Sequence, residues 1–268
     1  STIKEKNVFN IAIEGNFDDC QNLVKSMFAD KEFSNSINMS GVNSINWARI
    51  IAQAVYYFYT YFQIRDDRPV NFSVPTGNFG DVYAGYLAKK MGLPINKLIV
   101  ATNQNDILHR AISNGKYEAE SVFETNSPSM DIQIASNFER LVYDLNNCDD
   151  KETQKIMNGI KKENKYIISK NKMERIDKDF LSASMSEEEV LDTIKEVFTK
   201  YAIILDPHSA IGFGALKKTN IDGNNIVLVT AHPCKFPDAI DKSIGIKPDL
   251  PDELKYIMDE KENYDIIS

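Results

Sequence analysis

The sequence predicts an α/β protein with a mostly parallel, twisted sheet and helices on both faces. Residues 70–74 form an extended apolar run, a glycine turn follows, a helix is predicted over 81–91, and a second apolar run covers 97–101. This strand–helix–strand order is typical of parallel sheets, because the crossover helix returns the chain to the edge from which it started. A strand over 8–15 followed by a helix, and a strand over 226–231 preceded by a helix of small residues, repeat the pattern.

The other predicted elements are mostly helices. A long helix is expected from Ser44 to about Ile64, with nearly all of its many aromatic residues packed in the core. Another helix is predicted over 135–147. Ser186 and the acidic residues after it form a capping-box pattern for a helix that ends near residue 201. The polar, lysine-rich tract 149–180 is expected to be an insertion or a peripheral pair of helices.

Composition and charge exclude several function classes. The chain has 268 residues and a formal net charge of −8, which argues against a nucleic-acid-binding or anionic-membrane-binding surface. The three cysteines lack metal-ligand spacing and only three histidines accompany them, so no metal site is predicted. No apolar run has the length of a membrane span and no signal peptide is recognisable, so the expected location is the cytoplasm.

The most informative stretch is the turn after residues 70–74. Its sequence is Gly77, Asn78, Phe79, Gly80 and Asp81. Glycine permits backbone dihedrals and close approaches that a side chain would forbid. The next helix begins with unpaired amide N–H groups beside the positive end of its dipole, which predicts a phosphate-binding site. No lysine lies in the turn and the spacing of a nucleoside-triphosphate loop is absent, so the phosphate of a bound cofactor is the better candidate.

Seven stretches stand out along the chain: IEGNFDDCQ (13–21), NSINWARIIAQ (43–53), VPTGNFGD (74–81), TNQND (102–106), SPSMDI (127–132), DPHSA (206–210) and TAHPCKF (230–236). Taken in this order, they resemble the threonine synthase family, which uses pyridoxal phosphate. Each would be weak alone, but their shared order is specific and covers nearly the whole chain. The resemblance implies pyridoxal-phosphate fold type II, the tryptophan-synthase-β-like fold, with the site at the carboxyl ends of parallel strands.

The resemblance also implies how pyridoxal 5′-phosphate is bound. Backbone N–H groups of the turn from Gly77 to Asp81 would hold its phosphate, whereas the side chain of Asp81 is expected to cap the loop or the helix. Thr230 would place its hydroxyl against the pyridine nitrogen; a threonine that caps the next turn is the structural alternative. His208 and His232 are expected to be hydrogen-bonded packing residues without a proton-transfer role.

The implied reaction converts O-phospho-L-homoserine and water to L-threonine and phosphate through a pyridoxal-phosphate aldimine. Arg49, with Ser44 and Asn46, is the candidate binding group for the phosphate of the substrate, since a guanidinium suits an anion of that shape. A structural ion pair is the alternative role for Arg49. No catalytic residue is assigned within the chain.

One departure from the family pattern concerns the cofactor lysine. The family carries it in a Phe-Lys-Asp element upstream of the first matching piece, and that tripeptide does not occur here. We therefore expect a chain that is incomplete at its N-terminus and inactive alone, with the missing segment as a possible partner. Residues 1–40 would be the tail of a smaller α/β domain, and 41–268 a larger domain that binds the cofactor phosphate.

Two other functions compete with this interpretation. One is a threonine-synthase-like phospholyase that acts on a related γ-phosphorylated substrate. The other is a non-catalytic α/β module whose glycine turn holds a phosphate or a nucleotide, which the absence of the cofactor lysine favours.

Overall fold

The computed structural model describes residues 2–15, 17–64 and 66–267. The chain forms two compact units. The first comprises Ser1–Gly41 with Asp249–Ser268, and the second comprises Val42–Pro248. In the part that is described, no helix is both long and apolar enough to cross a membrane.

The second unit contains most of the secondary structure. Its strands are β2 (Val70–Pro75), β3 (Ile95–Thr102), β4 (Lys116–Glu118), β5 (Lys165–Ile167), β6 (Phe180–Ser184) and β7 (Asn224–Val227). Its α-helices are α3 (Trp47–Tyr61), α4 (Gly80–Lys90), α5 (Ile107–Asn114), α6 (Phe138–Leu145), α7 (Asp150–Glu163), α8 (Lys170–Asp179), α9 (Glu187–Tyr201), α10 (Pro207–Thr219) and α11 (Pro237–Ile244). Short 3₁₀ helices cover Pro128–Met130 and Pro233–Lys235.

The sheet that organises this unit has the strand order β6-β3-β2-β7, and every pairing in it is parallel. Ser73 of β2 pairs with Ile99 on one side and with Val227 on the other. All four strands therefore end at the same edge. The predicted strand–helix–strand unit is confirmed as β2, α4 and β3.

Helices cover both faces of this sheet. Successive residues of β3 alternate between two hydrophobic clusters, since Leu98 and Val100 pack in one and Ile99 and Ala101 in the other. The first cluster includes residues of α3, α4, α5 and α6, and the second includes residues of α9, α10 and α11. The predicted fold class, a parallel α/β sheet with helices on both faces, is confirmed.

The first unit consists of β1 (Ile11–Ile13), α1 (Phe17–Ala29), α2 (Lys31–Ser36), a 3₁₀ helix (Asp252–Asp259) and β8 (Asp265–Ile267). Its two strands form a small sheet of their own. Strands β1 and β8 pair in parallel. Because of this pairing, residues 249–267, which the sequence analysis assigns to a larger domain over 41–268, group with the N-terminal residues. The assignment of smaller and larger domains stays a prediction.

Several elements differ from the sequence-based expectations. The tract 149–180 forms α7, β5 and α8, and it leads directly into β6, an edge strand of the sheet that the sequence analysis missed. Its sequence is FLSAS, and five residues with serines at alternate positions are too short a pattern for periodicity alone to reveal the strand. The aromatic residues of the helix predicted over 44–64 are also not all in the core, since Tyr57 is fully buried whereas Tyr59 and Phe62 are 68% and 70% exposed.

Two helical glycines provide a test of the packing between α3, α4 and the sheet. A Cβ at Gly85 would lie 2.6 Å from the ring of Tyr57 and 2.8 Å from Leu98, both fully buried. We expect Gly85→Ala to lower the free energy of unfolding by about 1–3 kcal/mol, because neither neighbour has room to move. Gly159→Ala in α7 is the matched control: a Cβ there meets no atom within 4 Å.

The control should raise the free energy of unfolding by about 0.5–1 kcal/mol through its better helix propensity. Urea denaturation of both variants measures the two effects. Equal stability of Gly85→Ala and the wild type would contradict the packing described here.

Candidate functional site

The glycine turn lies at the carboxyl edge of the sheet, between β2 and α4. The amide of Thr76 donates to the carbonyl oxygen of Ala101 at 2.8 Å, which continues the strand pairing up to the turn. Neither Gly77 nor Gly80 has a positive φ, so the expectation that they adopt dihedrals forbidden to other residues is wrong. Glycine is needed at both positions because a side chain would not fit. A Cβ at Gly77 would lie 2.6 Å from the carbonyl oxygen of Ser129, and one at Gly80 would lie 3.0 Å from Oδ1 of Asn78.

The left-handed residue of the turn is Phe79, with φ of 69°. Such a conformation is unusual for a bulky side chain and costs about 1 kcal/mol or more. Its ring is fully buried and lies edge-on to Phe138, with centroids 5.5 Å apart, and 6.0 Å from Phe180. Burial of an aromatic ring is worth more than that cost. The turn is therefore anchored by an aromatic side chain rather than by glycine flexibility.

The turn presents a cluster of unpaired main-chain donors. Within the described residues, no acceptor pairs with the amide N–H of Gly77, Asn78, Phe79 or Asp81. The amide of Gly80 differs, because it donates to Oδ1 of Asn78 at 2.9 Å. Unpaired N–H groups at the first turn of a helix form a suitable site for an anion. The local geometry thus fits a phosphate.

The side chain of Asp81 is engaged away from the main chain of the turn. Its Oδ1 accepts hydrogen bonds from the hydroxyls of Tyr56 at 2.5 Å and Tyr57 at 3.0 Å, both on α3. It does not cap the loop or α4 as expected, since the cap position is Phe79 and no side chain caps it. Burial raises the pKa of Asp81 above its usual value, and the hydrogen bonds from the tyrosines offset part of that effect.

Ser44 is brought to the turn by two amide side chains. Its Oγ accepts a hydrogen bond from Nδ2 of Asn78 and another from Nδ2 of Asn137, each at 2.9 Å. The main chains meet as well, because the amide of Asn137 donates to the carbonyl oxygen of Asn78 at 3.0 Å. With both lone pairs used, the hydroxyl hydrogen of Ser44 is available for a ligand.

The other two predicted substrate-binding residues lie on α3. Oδ1 of Asn46 accepts from the amide of Ala48 at 3.0 Å and caps the helix. Arg49 is exposed. Its guanidinium forms no ion pair with any described residue, so the alternative of a structural ion pair finds no partner in that part of the chain. Ser44 is hydrogen-bonded to the turn, whereas among the described residues Arg49 has no hydrogen bond to it.

The sequence analysis missed Asn137 and Arg140. The Nε of Arg140 donates to Oδ1 of Asn137 at 2.8 Å, and its Nη2 donates to the carbonyl oxygen of Ile45 at 3.1 Å. The guanidinium also lies 5.4 Å from the centre of the Trp47 ring. The only sequence signal was the polar Ser-Asn pair before α6, which reads as an ordinary helix start.

Asp131 connects two loops that support the turn. Its Oδ1 accepts from Nδ2 of Asn103 at 2.8 Å and of Asn105 at 2.9 Å, and from Oγ1 of Thr125 at 2.6 Å. Its Oδ2 accepts from the amide of Thr125 at 2.8 Å. The same loop carries Ser129, whose carbonyl oxygen lies against Gly77. Two of the seven motifs thus converge on one carboxylate.

Thr230 lies just beyond β7 with its side chain exposed. The strand ends at Val227 rather than at the predicted residue 231, although the amide of Leu228 still donates to the carbonyl oxygen of Ser73 at 3.0 Å. The amide of Thr230 then donates to Oγ of Ser209 at 3.3 Å. Since β2 and β7 are parallel neighbours, the glycine turn and Thr230 leave the sheet at the same edge.

Asp206 caps α10 and holds the residues after it. It is 1% exposed and accepts from the amide of His208 at 2.9 Å, from Nδ1 of His208 at 3.0 Å, and from the hydroxyl of Ser209. Burial raises the pKa of Asp206, but these hydrogen bonds outweigh it, so its pKa is lowered overall. Nε2 of His208 is buried and has no hydrogen-bond partner among the described residues.

His232 lies in the loop after Thr230. Its Nδ1 accepts a hydrogen bond from the amide of Cys234 at 3.2 Å, and Sγ of Cys234 lies 2.9 Å from the same atom. The ring therefore caps the 3₁₀ helix at Pro233–Lys235. This agrees with the interpretation of His232 as a hydrogen-bonded structural residue.

Comparison with known proteins places these motifs in a wider context. The family described as "Pyridoxal-phosphate dependent enzyme" matches residues 6–231, and "Threonine synthase, C-terminal" matches 209–268. The threonine synthase of Pseudomonas aeruginosa is 45% identical over the whole chain, which covers 58% of that protein. That of Saccharomyces cerevisiae is 44% identical over 95% of the chain, which covers 55% of it. The chain thus spans just over half the length of these relatives.

Solved structures agree with the sequence comparison. A pyridoxal-phosphate-bound threonine synthase from Brucella melitensis superimposes with a TM-score of 0.90 at 48% identity, covering 97% of this chain and 57% of that one. The yeast threonine synthase gives 0.88 at 43% identity, covering 99% and 58%. The resemblance that the seven motifs predicted is confirmed, as is the fold type.

The carboxylate of Asp131 is the most heavily used acceptor near the turn, which makes its removal informative. We expect Asp131→Ala to lower the free energy of unfolding by about 3 kcal/mol, because several part-buried donors lose their acceptor together. Asp222→Ala is the control, since Asp222 is exposed on a loop and its loss should change stability by less than about 0.5 kcal/mol. Chemical denaturation measures both; similar values for the two variants would contradict a supporting role for Asp131.

Proposed function

The chain belongs to the pyridoxal-phosphate dependent enzyme family, and from that premise we propose that its activity is that of a threonine synthase. The reaction would convert O-phospho-L-homoserine and water to L-threonine and inorganic phosphate. The observation that carries the proposal is the cluster of unpaired amides between Gly77 and Asp81. It lies within one of seven motifs of the family, at the carboxyl edge of a parallel sheet where such folds bind ligands.

The residues present suit pyridoxal phosphate. The amides of Gly77, Asn78, Phe79 and Asp81 would hold its phosphate, and the hydroxyl of Thr230 would meet its ring nitrogen. When bound, the cofactor supplies an electron sink that stabilises negative charge at the α carbon of an amino acid. The carboxylate of Asp81 is tied to two tyrosine hydroxyls of α3 and does not compete for the amides of the turn.

Thr230 would determine the protonation of the cofactor ring. A hydroxyl is neutral, so it can donate to the ring nitrogen without stabilising a positive charge there. A carboxylate in that position would favour a protonated ring and stronger electron withdrawal. A threonine would therefore favour an unprotonated ring, which withdraws electrons less strongly.

The substrate carries a second phosphate, for which Ser44, Asn46 and Arg49 are the proposed ligands. The hydroxyl of Ser44 has a hydrogen to donate, because two amide groups occupy its lone pairs. The guanidinium of Arg49 is exposed and could bind a phosphate in a bidentate manner. Asn46, whose Oδ1 caps α3, is the third proposed ligand.

Three broader proposals accompany this function. The cofactor lysine, absent as a Phe-Lys-Asp element here, would be supplied by polypeptide upstream of Ser1, which would be the partner of this chain. Residues 1–40 would belong to a smaller domain and residues 41–268 to the larger one. The free cysteines support a reducing, cytoplasmic location.

The proposed phosphate-binding amides of Gly77, Asn78, Phe79 and Asp81, called the phosphate seat below, can be tested on the chain itself. Isothermal titration with inorganic phosphate and with 4′-deoxypyridoxine 5′-phosphate, which needs no lysine, should detect binding of both. We expect Asn78→Asp to weaken both by at least about tenfold, because a carboxylate then faces the anion. Asn158→Asp, which makes the same charge change on the exposed face of α7, should bind both like the wild type. Equal affinities of the two variants for these ligands would contradict phosphate binding at the turn.

The reaction can be tested with a chimera. The upstream part of the Saccharomyces cerevisiae threonine synthase, joined to this chain, should convert O-phospho-L-homoserine to L-threonine and phosphate, measured by mass spectrometry. The 268-residue chain alone should be inactive. Asn78→Asp in the chimera should lower kcat/KM at least about tenfold, and Asn158→Asp should not.

Other outcomes would favour the competing functions. Release of phosphate without threonine would indicate a phospholyase on a related γ-phosphorylated substrate. A folded chimera that binds phosphate or a nucleotide but turns over no substrate, beside an active yeast enzyme, would indicate a binding module.

A further inference from the structure

The cap of α10 and the loop after β7 are joined by a chain of hydrogen bonds that the proposed function does not use. Asp206 and Ser209 are both essentially inaccessible to solvent. The hydroxyl of Ser209 hydrogen-bonds to Oδ2 of Asp206, and its oxygen receives the amide N–H of Thr230 at 3.3 Å. The chain thus runs from a buried carboxylate to the main chain of Thr230.

The direction of each hydrogen bond in this chain follows from the charge of Asp206. A carboxylate can only accept, so the hydroxyl hydrogen of Ser209 must point to it. The lone pairs of the Ser209 oxygen then face the amide of Thr230. His208 strengthens the arrangement, because its amide and Nδ1 both donate to the other oxygen of Asp206.

The loop has few other attachments near Thr230. The amide of Leu228 still pairs with Ser73, and the 3₁₀ helix begins at Pro233. Between residues 228 and 233, the main chain of Thr230 is held by the hydrogen bond from its amide to Ser209, as far as the described residues show. A side chain that must meet one ring atom requires such support, because small displacements weaken a hydrogen bond steeply.

We propose that Asp206, acting through Ser209, is a positioning residue that fixes the main chain of Thr230 so that its hydroxyl meets the ring nitrogen of the cofactor. This inference rests on the proposed function. It adds two residues, both outside the proposed cofactor ligands, to the group that would determine how the ring is held.

The first readout concerns the loop and needs no ligand. In the Ser209→Ala variant, the amide of Thr230 should exchange with deuterium about five- to tenfold faster than in the wild type, because it has lost its acceptor. Ser73→Ala is the matched control. Ser73 is equally buried and its hydroxyl also bonds to α10, at the carbonyl oxygen of Gly212, 2.6 Å away.

The second readout compares two ligands. Ser209→Ala should bind 4′-deoxypyridoxine 5′-phosphate about five- to tenfold more weakly, with a changed ultraviolet spectrum of the bound ring, while its affinity for inorganic phosphate stays unchanged. Ser73→Ala should match the wild type for both ligands. The selective loss distinguishes the ring contact from the phosphate seat.

A double-mutant cycle decides whether Ser209 acts through Thr230. Thr230→Val removes the hydroxyl and should weaken binding of the pyridoxine analogue by a similar factor. Thr230→Ser keeps the hydroxyl and should bind the analogue as tightly as the wild type. Adding Ser209→Ala to Thr230→Val should then cause no further loss. Additive losses, or a Ser209→Ala variant that matches Ser73→Ala in exchange and binding, would overturn the inference.

Failure of the proposed function would look different. If the wild type bound neither ligand, the phosphate seat and the ring contact would both be overturned. The exchange comparison would still decide separately whether Ser209 holds the main chain of Thr230.

Discussion

The site depends on the parallel pairing of β2 with a neighbour on each side. Ser73 pairs with Ile99 and with Val227, so the chain leaves β2 and β7 at one edge of the sheet. This arrangement brings together the glycine turn and Thr230, which are about 150 residues apart along the chain. In the proposed function, this arrangement lets one cofactor meet the turn with its phosphate and Thr230 with its ring nitrogen.

Around this edge, side chains that contact no proposed ligand determine the shape of the turn. The buried ring of Phe79 holds the main chain in a left-handed conformation, and Ser129 leaves space only for a glycine at position 77. Asp131 fixes the loop that carries Ser129. The surrounding contacts therefore hold the amide donors in place without an acceptor among the described residues, which in the proposed function would reduce the reorganisation needed to bind an anion.

Much of the fold could be predicted, because periodicity and turn residues report it directly. The strand–turn–helix at 70–91 was found at nearly its observed bounds, and the helix over 187–201 was found from its capping box. Strand β6 was missed, since its five residues, with serines at alternate positions, give too short a pattern to be recognised. The positions of the residues around the site were only partly predictable. Ser44 bonds to the turn and Asn137 was overlooked, whereas Arg49 forms no hydrogen bond or ion pair with the turn in the described part of the chain.

The sequence by itself determined the alternation of strands and helices, the location of the turn at 77–81 and the family to which the seven motifs point. Each of these is a local property, written in residues that are close together along the chain. Only the tertiary structure decided that Phe79 rather than a glycine takes the left-handed conformation, and that Asp206 is linked to Thr230 through Ser209. Those features depend on contacts between distant segments, which packing creates and local pattern does not record.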